Sequence, residues 1–98
     1  MVRIIPAPLE RVGALLERRI SEAPSWTLGP VERELGQVEG QVHAGFGRAA
    51  TVMRFGLATE SDASTRVTAQ VTARSRWTSL ASCRRRLEAM LDDVVQAL

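Results

Sequence analysis

The sequence predicts an α+β domain in which a five-stranded antiparallel sheet packs against a long C-terminal helix. Three observations carry this expectation. Residues 65–73 alternate strictly: Val67, Ala69, Val71 and Ala73 point one way, and Arg66, Thr68, Gln70 and Thr72 point the other. That period of two belongs to a strand with one buried face. From Leu80 the period becomes 3.6, with Leu80, Cys83, Leu87, Leu91, Val94 and Leu98 on one stripe of a helix about 20 residues long. Between the earlier strand candidates, turn signals recur about every ten residues, as in an antiparallel meander. The order along the chain is β-α-β-β-β-β-α, and residues 1–98 form a single domain.

The elements follow in order. Val2 to Ile5 form a short apolar strand that Pro6 ends. Pro8 suits the first turn of a helix, where its missing N–H costs nothing. Leu9, Val12, Leu16 and Ile20 then share a stripe that excludes Glu10, Arg11, Glu17 and Arg18, the pattern of an amphipathic helix resting on a flat surface. Gly13 borders that stripe at a cost of up to about 1 kcal/mol relative to Ala, which a close backbone contact would offset.

After Ala23-Pro24, Trp26 and Leu28 alternate in a strand that stops or bulges at Gly29-Pro30. Gly36 closes a turn. Val38, Gly40, Val42 and Ala44 oppose Glu39, Gln41 and His43, and Gly45 to Gly47 turn the chain. Thr51, Met53, Phe55 and Leu57 share one face of the next strand. Glu60 to Ser64 is the most turn-like stretch and leads into the alternating strand. Thr78 or Ser79 caps the last helix.

With 45% apolar and 24% charged residues, the composition is that of a globular protein able to bury one core layer. No apolar run approaches the ~18 residues of a membrane span. The start, Met-Val-Arg-Ile-Ile-Pro, lacks a signal-peptide apolar region, which favours the cytoplasm; a domain cut from a longer exported chain would look the same. The one cysteine, Cys83, forbids an internal disulfide, and with His43 as the one histidine a site of several His and Cys ligands is excluded by count. No metal or cofactor is implied.

All 13 basic residues are arginine, and lysine, asparagine and tyrosine are absent. Those three share AT-rich codons, so a high-GC bacterial genome accounts for the arginines without nucleic acid. A formal net charge of +2 leaves little long-range field.

The element order resembles a reduced helix-grip fold, that of the START, polyketide-cyclase and aromatic-cyclase-like proteins, whose antiparallel sheet curls around a C-terminal helix. The resembling pieces are Ala7-Pro8-Leu9-Glu10-Arg11-Val12 after the opening strand, Pro24-Ser25-Trp26, Ser64 to Thr68, and Arg86-Leu87-Glu88-Ala89-Met90-Leu91. The chain is also similar to a small uncharacterised bacterial family of the same order, which pairs a Gly-Gln-Val-Glu-Gly-like strand (Gly36 to Gly40) with a Ser-Arg segment before the last helix (Ser75-Arg76). The resemblance implies a domain that holds a ligand between sheet and helix. Helix-grip proteins of full length have more strands, and no catalytic residue of theirs has a counterpart here.

The individual candidates for chemistry favour structural roles. His43 could act as a general base, but parity places it on the polar face with Glu39 and Gln41. Cys83 could be a nucleophile near a helix start, but it shares the stripe of Leu80 and Leu87, and free cysteines are commonly core residues. Arg84-Arg85-Arg86 could bind phosphate, yet successive helical residues diverge by about 100°, and Arg84 is spaced to pair with Glu88. Trp26 and Trp77 read as core corners.

The expected function is therefore a small non-catalytic domain, binding a small apolar ligand between the sheet and the C-terminal helix. Met53, Phe55, Val67, Ala69, Val71, Leu87 and Met90 would line the pocket. Its size is expected below the ~300 Å³ at which drug-sized ligands begin. The alternative is a protein–protein interaction or homo-oligomerisation module, a homodimer included, with no internal ligand. Neither reading involves sequence-specific nucleic acid or a membrane.

Overall fold

The computed structural model describes residues 1–43, 50–74 and 78–98. Strand β1 (Val2–Ile5) leads to helix α1 (Leu9–Glu22), then β2 (Trp26–Glu32), a single 3-10 turn (Arg33–Leu35), β3 (Gln37–Val42), β4 (Thr51–Ser61), β5 (Ser64–Ala73) and helix α2 (Leu80–Gln96). The five strands form one antiparallel sheet in the order β1-β5-β4-β3-β2. The predicted fold class is thus the observed one. The expected roles of Ala44, Gly45 to Gly47, Ser75-Arg76 and Trp77 lie outside the described residues.

This order puts β1 and β2 on opposite edges although only α1 separates them in sequence. The helix must cross the whole sheet. Its 14 residues give about 21 Å, against about 19 Å for four inter-strand spacings. Val12, Leu16 and Ile20 are buried at four-residue spacing. Helix α2 contributes Cys83, Leu87, Met90, Leu91 and Val94 to the same core. The opposite face carries Arg66, Thr68 and Gln70 into solvent, and the Arg54–Glu39 ion pair at 3.6 Å joins register neighbours on it.

Local chemistry sets the ends of these elements. Ser79 caps α2, its hydroxyl accepting from the Ser82 N–H at 3.1 Å. Gly36 takes φ +64°, and a side chain there would run into the Leu57 carbonyl. The Gly36 carbonyl meanwhile accepts from the Leu57 N–H at 2.7 Å, so this turn is tied to β4. The expected bulge at Gly29-Pro30 is present as a register shift between Leu28 and Val31, but the strand continues to Glu32.

Three expectations change. Leu80 is 61% exposed because it opens α2, ahead of the part that lies over the core, and Met90 joins the buried stripe instead. Along β5, Val67 and Ala69 are buried, Val71 is half-buried and Ala73 is exposed. The cause is a bulge: Met53 pairs with Val71 but Val52 pairs with Ala73, leaving Thr72 as the extra residue. Ala73 therefore sits opposite Val52, off the inner face. Finally, Gly13 has no close backbone contact; a β-carbon there would meet nothing within 4 Å.

Candidate functional site

The inner face of the sheet is built row by row from register. Leu28, Gly40, Met53 and Val71 lie side by side across β2, β3, β4 and β5, and Val31, Val38, Phe55 and Ala69 form the next row. Leu57 and Val67 pair beyond them. Large and small residues thus adjoin, Phe55 between Val38 and Ala69, Met53 beside Gly40. Leu87 and Met90 of α2 belong to the same apolar cluster. The structure therefore brings the seven expected lining residues together: Met53, Phe55, Val67, Ala69, Leu87 and Met90 are buried, and Val71 packs against them half-buried.

Two buried hydroxyls interrupt this apolar surface. Thr65 donates to the Ala7 carbonyl at 2.8 Å, fastening the segment before α1 to β5. Thr51, on the inner face of β4 beside Val42, is 2% exposed, and its Oγ1 has no hydrogen-bond partner among the described residues. Leaving a buried hydroxyl unsatisfied costs about 1–3 kcal/mol. Parity alone places Thr51 on this face, but a lone threonine in an alternating strand gives no hint that its hydroxyl will be orphaned.

The groups weighed for catalysis are dispersed. His43 is exposed, its Nε2 is 2.7 Å from the Thr27 hydroxyl, and its backbone N–H donates to the Ser25 carbonyl. Cys83 is 1% exposed within the core. A Cys–His pair is therefore not assembled. Arg84 bonds Glu88 at 3.1 Å and Arg74 donates to the Thr78 carbonyl, while Arg84, Arg85 and Arg86 all lie in solvent. Among the described residues no group of His, Cys, Asp and Glu could hold a metal ion, and no helix is long and apolar enough to cross a membrane.

Surface recesses among the described residues include two beside the core. One of about 230 Å³ joins Pro24 and Trp26 to Arg86, Ala89, Met90 and Asp93. A larger groove of about 440 Å³ runs between α1 and the β2–β3 connection, over Val31, Val38 and Leu57. Of the seven expected lining residues, only Met90 borders either recess.

No family model matches the chain, and no curated protein matches it. Solved structures do. The chain is similar to the di-domain ARO/CYC protein StfQ of the steffimycin biosynthetic pathway, with a TM-score of 0.60 and 18% identity over 99% of this chain and 43% of StfQ. It thus spans less than half the length of that protein. It is also similar to TTHA0849 from Thermus thermophilus, with a TM-score of 0.51 and 13% identity over 98% of this chain and 92% of the other. At such identities the likeness shows the fold alone.

Proposed function

We propose that this helix-grip domain binds a small, mainly apolar ligand between the inner face of the sheet and α2, and that it does so without catalysing a reaction. The carrying observation is Thr51, a buried hydroxyl without a partner among the described residues, on a face whose other buried hydroxyl, Thr65, is already bonded to the Ala7 carbonyl. A ligand with one hydrogen-bonding group would satisfy that hydroxyl while its apolar body lies first against Met53 and Val71, the expected lining residues nearest Thr51 in register, and extends toward Phe55 and Ala69. The likeness to StfQ, an ARO/CYC protein of the same fold, supports a ligand-binding reading. The dispersal of His43 and Cys83 supports the absence of catalysis.

Thr51→Val tests the reading, since the two side chains are nearly isosteric and differ by the hydroxyl. Removing an orphaned hydroxyl should stabilise the domain by about 1–3 kcal/mol. Native mass spectrometry of protein purified from its expression host should show wild-type protein carrying a small-molecule adduct and Thr51→Val carrying less of it. A destabilised variant, or equal adducts in both, would refute a role for Thr51 in holding the ligand.

A further inference from the structure

The groove beside α1 has no part in that reading. We propose that it is a separate binding site for a small apolar molecule bearing one cationic group. At about 440 Å³ it lies within the range of small-molecule sites. Its apolar surface is Val38, Leu57, Val31 and Leu9. Gly13 stands in the middle of the helical wall, where a β-carbon would meet nothing within 4 Å. Glycine is the poorest helix former after proline. No neighbour among the described residues requires it, and its effect is to deepen the groove.

The charges of the groove indicate the ligand class. Glu10 and Glu17 are seven residues apart, on the same side of α1, one to each side of Gly13. Arg33 reaches across from the 3-10 turn to Glu17 at 3.4 Å and neutralises it. Glu10 has no ion-pair partner among the described residues, and the positions three and four residues further on are Gly13 and Ala14. The α1 N-terminus offers Glu10 only a partial positive charge. One carboxylate thus stands uncompensated at the edge of an apolar trough. A cation on an apolar body completes both.

The test uses phenethylammonium, phenethyl alcohol and phenylacetate as probes, titrated into the isotopically labelled domain and read by amide NMR shifts. Phenethylammonium should shift Gly13, Val31 and Leu57 saturably, phenethyl alcohol should do so more weakly, and phenylacetate should not. Glu10→Gln should weaken phenethylammonium about two- to fivefold, the effect of one exposed ion pair, and leave the alcohol unchanged. Gly13→Ala should raise the melting temperature by about 4–8 °C, and Gly13→Leu should abolish the shifts from both probes. The proposal is overturned by phenylacetate binding as well as phenethylammonium, by shifts confined to other residues, or by a Gly13→Ala melting temperature below that of wild type. A concentration-dependent self-association that Gly13→Leu removes would also overturn it, in favour of a second copy of the chain as occupant. Thr51→Val leaves this groove intact, so failure here is distinguishable from failure of the site beneath α2.

Discussion

The indole ring of Trp26 lies directly on the backbone of Gly40. A β-carbon at Gly40 would sit 2.8 Å from Cε3 and 2.9 Å from Cζ3 of that ring, with Ile20 of α1 at 3.5 Å. The ring is also 6.2 Å from Phe55, centroid to centroid, so a glycine in mid-strand lets the aromatic pair settle under α1. Gly40→Ala should therefore destabilise the domain by about 1–3 kcal/mol through overpacking. Gly56→Ala is the control, because a β-carbon there makes ordinary contact, 3.8 Å from the Thr68 carbonyl oxygen. Chemical denaturation of the two variants should separate them, and equal midpoints would contradict the stacking.

Leu87 is 4% exposed and belongs to the cluster that joins α2 to the sheet. Leu87→Ala should cost about 2–5 kcal/mol, the lost burial plus the cavity left behind. Val71→Ala should cost less, since the bulge at Thr72 leaves Val71 half-buried near the end of the covered face. Equilibrium unfolding of both variants checks the order, and a larger loss at Val71 would place the centre of the interface elsewhere.

What was legible in the sequence follows from how far apart the relevant residues are. The stripes Val12, Leu16, Ile20 and Cys83, Leu87, Leu91, Val94 are periodic within one element, so hydropathy alone identifies their buried faces. Ser79 and Gly36 mark element ends by local chemistry. The bulge at Thr72 depends on how β4 and β5 pair, and a strictly alternating stretch carries no sign of it. The open space at Gly13 depends on where the β2–β3 connection lies relative to α1. The inner-face placement of Met53, Phe55, Val67 and Ala69 was recoverable because parity assigns strand faces. The orphaned Thr51 hydroxyl was not, because satisfaction of a hydroxyl is decided by neighbours from other elements.

Cys83 tests burial without disturbing the fold. At 1% exposure the thiol should react slowly with a thiol reagent in the native state and rapidly in denaturant. The rate in buffer then reports opening of α2 from the sheet. Equal rates in both conditions would mean that the first turns of α2 do not cover it.

Ala69 gives the most direct test of a ligand beneath α2. It is 1% exposed and pairs with Phe55 across β4 and β5, at the middle of the proposed lining. The measurement is thermal unfolding of Ala69→Leu beside native mass spectrometry of wild type and variant from the same host. If a ligand occupies space over Ala69, the added leucine fills that space. A ligand in that space predicts an unchanged or higher melting temperature for Ala69→Leu, with the small-molecule adduct of the wild type lost. Destabilisation by about 1–3 kcal/mol from overpacking, with no adduct on the wild type, would contradict it and leave the domain as an interaction module.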